Sequence, residues 1–107
     1  MDVSIEQAPE LPKIIDVLGK KFKVIQIQES DTEYENDSGF MHLSNQEIGI
    51  RMYSAGDINH DTILHEVIHA VDEILHLRMK ENQVHQLAAG LIAVLKQNKE
   101  LAKWLTQ

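Results

Sequence analysis

The stretch "TILHEVIHAVDEIL", residues 62–75, combines the spacing of a buried helix with polar side chains that a buried helix does not need. His65 and His69 are four residues apart, and Glu66 directly follows the first of them. The spacing predicts a helix from about Gly56 to Leu77 with a polar site on one side. Its apolar residues recur at helical intervals and predict one buried face: Ile63, Leu64, Val67, Ile68, Val71, Ile74 and Leu75.

The two histidines have the spacing of metal ligands. Residues i and i+4 of a helix lie on the same face, so His65 and His69 can direct two ring nitrogens at one ion, about 2 Å from each. Glu66 lies about 100° further round the helix, where it can reach a water bound to that ion but not the ion itself. This is the division of roles in the HExxH pattern of zinc hydrolases. The alternative is a pair of core histidines beside a solvated glutamate.

A catalytic zinc site needs a third protein ligand and leaves the fourth position to water. Asp72 shares the histidine face but is roughly 10 Å from His65 along the helix axis, so we expect it to orient an imidazole or to be solvated. The next predicted helix carries Glu81 and His85, again four residues apart on one face. The spacing leaves both open as the third ligand.

Two hairpins precede the helix. "KIIDV" (13–17) and "KFKVIQIQ" (21–28) are rich in β-branched residues and flank Gly19, which can adopt the positive φ of a tight turn. "FMHLS" (40–44) and "EIGIRMY" (47–53) predict a second hairpin about Asn45-Gln46. In "EIGIRMY" Ile48, Ile50 and Met52 alternate with Glu47, Gly49, Arg51 and Tyr53, which predicts one buried and one open face.

Helices complete the chain. Ser54 and Asp57 resemble a capping box at the start of the first helix, and a second helix is predicted over residues 80–97. Asn98 is expected to cap a third, "KELAKWLT", that packs Leu101, Trp104 and Leu105. Strands followed by helices predict an α+β fold, with three helices on one face of a small antiparallel sheet. The 107 residues predict a single domain, 1–107.

Composition excludes several classes of protein. Lys and Arg total 10 against 17 Asp and Glu, a net charge of −7, which argues against nucleic acid or an anionic membrane as partner. There is no cysteine, so neither a disulfide framework nor a thiolate metal site is possible. No secretory signal or membrane-spanning segment is recognisable, which predicts a cytoplasmic protein.

The segments "TILHEVIHAV" and "ENQVHQLAAGL" resemble the gluzincin class of zinc metallopeptidases, whose third ligand is a downstream glutamate. More closely, residues 39–105 resemble small phage and prophage proteins related to the ImmA/IrrE metallopeptidases. In that family the helix after HExxH has the pattern E-x-x-A-x-x-F-A-A. Glu81 matches its glutamate and His85 falls on a variable position, while the other matched positions are Val84, Leu87, Ala88 and Ala89.

The resemblance implies a zincin-like domain in which the HExxH helix packs on the sheet. It implies Zn²⁺ held by His65, His69 and Glu81, and Glu66 as general base in the hydrolysis of a peptide or protein substrate, with a repressor as candidate. Candidates for stabilising the oxyanion precede the helix: Tyr53, His60 and Arg51. We expect the substrate to add to the edge of the strand "EIGIRMY".

Two other classes of function remain open. One is a non-catalytic zinc-binding interaction module of phage or prophage origin, and the other is a structural domain without metal. A metal assay separates the structural domain from the other two. Exchange of Glu66 separates enzyme from module, because it removes the base without removing a ligand.

Overall fold

The computed structural model describes residues 11–28, 38–51 and 60–107, which form a four-stranded sheet and three helices. The α+β class predicted from the sequence is confirmed. None of the helices in these ranges is long and apolar enough to cross a membrane. The elements are β1 (Ile14–Val17), β2 (Lys20–Ile27), β3 (Gly39–His42), β4 (Glu47–Arg51), α1 (His60–Leu75), α2 (Glu81–Gln97) and α3 (Lys99–Leu105).

The sheet has the strand order β1-β2-β4-β3. Both predicted hairpins, β1–β2 and β3–β4, are present and antiparallel. The prediction of a purely antiparallel sheet is wrong, because the hairpins join through a parallel pairing of β2 with β4. Turn residues determine each hairpin locally, whereas no local signal specifies how one hairpin pairs with the other.

Local backbone geometry accounts for both turns. Leu18 and Gly19 have φ values of 53° and 92°, the left-handed conformation at both central positions that suits a two-residue hairpin loop. The Asp16 carboxylate accepts a hydrogen bond from the Gly19 N–H at 2.8 Å. In the second hairpin, Gln46 has a φ of 52°, and its side-chain amide donates to the Lys21 carbonyl at 2.9 Å. The second turn is therefore attached to the first hairpin.

The central position of β4 explains one wrong prediction. Ile48 and Ile50 are fully buried as expected, but Gly49 and Arg51, predicted to face solvent, are buried as well. The ring of Phe40 lies so close to Gly49 that a Cβ there would overlap it. The Arg51 guanidinium donates to the Gln28 carbonyl at 3.0 Å. Strands on both sides of β4 and these contacts leave neither face open.

Helix α1 lies on the sheet and covers the main core. This core contains Val17, Phe22, Ile48, Ile50 and Ala70, against which Ile63, Val67, Val71 and Ile74 of α1 pack. The predicted apolar face of the helix is confirmed, except that Leu75 is 53% exposed. The predicted capping residues, Ser54 and Asp57, lie outside the described ranges.

Helix α2 packs on the other side of α1. Ile68, Val84 and Ala88 form a second buried cluster, joined by Leu64 and Met79. The predicted extent of this helix is confirmed, with Lys80 as its N-cap residue. The Lys80 N–H donates to the side chain of Gln83 at 2.8 Å, which satisfies one free donor at the helix start.

The predicted packing of α3 is wrong. Leu101, Trp104 and Leu105 are 41%, 65% and 59% exposed, because α2 is the main neighbour of this helix among the described elements. Asn98 is the N-cap residue of α3, as predicted, but its side chain makes no capping hydrogen bond to that helix. Its side-chain amide instead donates to the Val94 carbonyl at 2.9 Å, at the end of α2.

Candidate metal centre

His65 and His69 lie one turn apart on the side of α1 that faces α2. Their Nε2 atoms are 3.1 Å apart, and the rings meet edge to face with centroids separated by 4.8 Å. The side chains are 16% and 25% exposed, so both rings are held by packing while their Nε2 atoms face a cavity. The helical repeat alone brings these two nitrogens together, as predicted from the spacing.

Glu81, the first residue of α2, completes the group. Its Oε1 lies 2.8 Å from His65 Nε2, and its Oε2 lies 2.9 Å from His69 Nε2. The carboxylate therefore spans the histidine pair, although its side chain is 69% exposed.

The α1–α2 connection places Glu81 there. Residue His76, with a φ of 56°, ends α1, and the Leu77 N–H donates to the Asp72 carbonyl at 3.1 Å. This six-residue closure is typical of a helix C-terminus followed by a left-handed residue. The Asp72 carboxylate accepts a hydrogen bond from the Met79 N–H at 3.0 Å. Asp72 therefore lies in α1, and its carboxylate contacts the loop that leads to α2.

The group has dimensions that suit a metal ion. The three donor atoms lie within 4.8 Å of one another. Donors about 2.0–2.1 Å from a zinc ion at tetrahedral angles are about 3.3 Å apart. The observed separations of 2.8, 2.9 and 3.1 Å are a few tenths shorter, a difference that side-chain rotation can absorb. Two imidazoles and a carboxylate are also ligands typical of zinc.

Hydrogen bonding between neutral imidazoles cannot satisfy all three contacts. Each Nε2 carries at most one hydrogen. If both imidazoles donate to Glu81, no hydrogen remains between the ring nitrogens 3.1 Å apart. If one ring donates to the other, one contact with the carboxylate has no hydrogen. A cation at the centre would bind all three lone pairs at once, which makes this cluster a better ligand set than a hydrogen-bonded one.

Glu66 occupies a different position from the three possible ligands. Its side chain is buried, with 6% exposure, between α1 and the beginning of β3. A Cβ built on Gly39 would lie 3.2 Å from Glu66 Oε2 and 2.6 Å from the Gly49 carbonyl oxygen. A side chain at position 39 would overlap the Gly49 carbonyl oxygen and would be in tight contact with the Glu66 carboxylate. Glu66 therefore borders the cavity from the sheet side, whereas Glu81 borders it from α2.

One open cavity of about 440 Å³ is lined by the three possible ligands and by Glu66. The sheet, α1 and α2 all contribute to its wall. The residues that line it are Ser38, Gly39, Asp61, Thr62, His65, Glu66, His69, Glu81, His85 and Ala88.

The remaining candidates lie elsewhere or have other contacts. His85 lines the cavity, and its ring centroid is 6.0 Å from that of His65, but it is not among the three convergent ligands. His60 is exposed at the first described residue of α1 and does not line the cavity. Arg51 contacts the Gln28 carbonyl. Tyr53 lies outside the described ranges.

Sequence reasoning missed five lining residues, of which Ala88 belongs to the buried contact between α1 and α2. Asp61 is four residues before His65, so helical spacing could have placed it on the same side of α1. Thr62 follows it on the helix. Ser38 and Gly39 carried no such signal, because their position depends on how β3 approaches α1.

No protein-family model, curated protein or solved structure matches the chain. The resemblance to the ImmA/IrrE metallopeptidases therefore depends on the motif residues alone and stays a prediction.

Proposed function

We propose that the chain is a zinc-dependent metallopeptidase of the gluzincin type that hydrolyses peptide bonds. The observation that carries the proposal is the convergence of Glu81 on the HExxH histidines, while Glu66 borders the same cavity from another side. His65, His69 and Glu81 would hold Zn²⁺. When bound there, zinc would supply an electrophile for the scissile carbonyl and lower the pKa of water to near 7.

Proton transfer depends on a residue of the chain itself. The Glu66 carboxylate accepts a proton from the attacking water and passes it to the leaving amine as the C–N bond breaks. The hydroxyl of that water remains on the acyl carbon, so water is added across the peptide bond. The burial of Glu66 between α1 and β3 restricts the orientation of its carboxylate, which favours alignment with the attacking water and the leaving amine.

The expected substrate strand needs correction. Strand β4 is paired with β2 on one side and β3 on the other, so it has no free edge for a peptide. Among the described strands, β3 is the edge strand on the cavity side, and Ser38 and Gly39 line the cavity where it begins. A peptide that adds to β3 by backbone pairing would pass the candidate metal centre.

The resemblance extends the proposal to location and substrate. We place the zincin-like domain in the cytoplasm, as a phage or prophage protein that acts on a protein of phage or host. A repressor is the first substrate to test.

A second candidate function, a non-catalytic zinc-binding interaction module, is favoured by exposed apolar side chains. Leu87 and Leu91 on α2 are 43% and 41% exposed, and Trp104 on α3 is 65% exposed. Where such side chains lie together they form an apolar patch of the kind that binds other proteins.

Glu66→Gln distinguishes the two functions. The variant should retain zinc, because position 66 is outside the convergent group, yet lose about 10²- to 10⁴-fold in cleavage rate because glutamine cannot accept the proton. Parent and variant are co-expressed with host proteins, and new protein termini are identified by mass spectrometry. New protein termini that appear equally with the parent and with Glu66→Gln would refute the peptidase proposal. A partner that co-purifies equally with both, without cleavage, would support the module.

A further inference from the structure

The lining of the cavity is electronegative. It includes three carboxylates, Asp61, Glu66 and Glu81, and no lysine or arginine among the described lining residues. A divalent ion held by the histidines and Glu81 would offset two of the three negative charges. One negative charge would then remain in the loaded cavity.

The rest of the sequence cannot reverse this balance with a nearby lysine or arginine. The segments outside the described ranges contain neither residue, but have three acidic residues in 1–10, five in 29–37 and one in 52–59. The side chains of these segments therefore supply no lysine or arginine that could compensate the lining carboxylates.

Asp61 is the carboxylate that neither the ligand set nor the proton transfer uses. It is half-buried in the first turn of α1, one turn before His65 and on the same side of the helix. An aspartate near a helix N-terminus can also simply stabilise the helix dipole. That role would affect the free energy of unfolding but not the choice of ligand, so the two roles give different experimental results.

We propose that the cavity selects substrates with a positive charge beside the scissile bond and that Asp61 recognises this charge. The charge belongs to a lysine or arginine side chain or to a free α-amino group. The inference rests on the proposed peptidase function and adds the class of substrate. An ammonium or guanidinium group would donate hydrogen bonds to the Asp61 carboxylate, whereas an acidic side chain would be repelled.

Peptide hydroxamates test the inference without requiring cleavage, because the hydroxamate binds zinc directly. The probes are N-acetylated tripeptide hydroxamates that differ in one side chain, arginine, norleucine or glutamate. A fourth probe is the norleucine compound with a free amine. Calorimetry measures their affinity for zinc-loaded parent, Asp61→Asn and Glu73→Gln. Glu73 is a matched control, since it is an exposed carboxylate of the same helix that does not line the cavity.

The parent should prefer arginine to norleucine and norleucine to glutamate, by about fivefold to tenfold at each step, and salt should reduce the preference. Asp61→Asn should bring the arginine and norleucine probes within about twofold, while Glu73→Gln keeps the parent's ratio. If only the free amine improves binding, the recognised group is the substrate N-terminus. If Asp61→Asn does not fold, Asp61→Ser replaces it, because serine also removes the negative charge.

The outcomes separate this inference from the function on which it rests. Failure of every hydroxamate to bind zinc-loaded protein would overturn the peptidase proposal and the inference with it. If all probes bind but their affinities do not follow their charge, only the inference is overturned. The same holds if the affinities follow charge equally in the parent and in Asp61→Asn.

Discussion

Exchange of Glu81 for alanine should weaken zinc binding far more than exchange of His85. Glu81→Ala removes both carboxylate contacts, at 2.8 and 2.9 Å, from the histidine pair. Zinc sites of four ligands bind with about 10–16 kcal/mol, so one ligand contributes roughly 3–4 kcal/mol, or about 10²- to 10³-fold in affinity. His85 lies outside the convergent group, and its loss should cost at most about tenfold.

The same loss should be visible in thermal stability. Zinc at about 100 times the parent's Kd stabilises the folded state by about 2.7 kcal/mol, which raises the Tm of a chain this size on the order of 10 °C. After a 100-fold loss of affinity, the same zinc concentration stabilises by only about 0.4 kcal/mol, or about 2 °C. The side chain of Glu81 is 69% exposed, so the zinc-free variant should melt close to the zinc-free parent.

A competitive titration against a chromophoric chelator measures the affinities of parent, Glu81→Ala and His85→Ala. Glu100→Ala is the control, because it removes an exposed acidic residue from the first turn of the neighbouring helix. A greater loss of affinity in His85→Ala than in Glu81→Ala would refute the ligand set and the gluzincin proposal with it. Absence of zinc from the parent after incubation with the metal would refute the metal centre itself.

Three further predictions concern the frame that supports the site. Phe22→Ala should lower the free energy of unfolding by about 3–5 kcal/mol in urea titrations, since its ring is fully buried, and a loss under 1 kcal/mol would contradict that packing. Gly39→Ala should cost about 1–3 kcal/mol, because its Cβ would press on a β4 carbonyl oxygen, whereas Gly90→Ala, with open space around it, should not destabilise. Asp72→Ala should cost about 1 kcal/mol through loss of the Met79 hydrogen bond, and unchanged stability would show that this bond is dispensable.

Features that depend on neighbours in sequence could be predicted. The turn at Gly19, the apolar face of α1 and the histidine pair each follow from the conformation of one residue or from the helical repeat. The parallel pairing of β2 with β4 could not be predicted, because it joins strands of two different hairpins and no turn residue specifies it. The burial of Gly49 depends on its cross-strand neighbour in the second hairpin, since the ring of Phe40 covers it.

The choice between Glu81 and His85 shows where spacing stops being informative. Both residues lie on one face of α2, so the helical repeat does not show which of them is the ligand. The relative position of the two helices distinguishes them, and the short loop after His76 determines that position. The exposure of Trp104 was mispredicted for a related reason, since an apolar helix face does not indicate whether a partner element reaches it.

The two functions required of this site depend on different contacts of α1. The candidate ligands come from α1 and α2, and the loop hydrogen bond from Met79 to Asp72 helps to hold these helices in place. The proposed base depends instead on the contact between α1 and β3, where Gly39 leaves room for the Glu66 carboxylate. A change in the loop should therefore weaken zinc binding before it alters the environment of Glu66. A change at Gly39 that the fold tolerates should leave zinc bound while it displaces the base, so the two steps are experimentally separable.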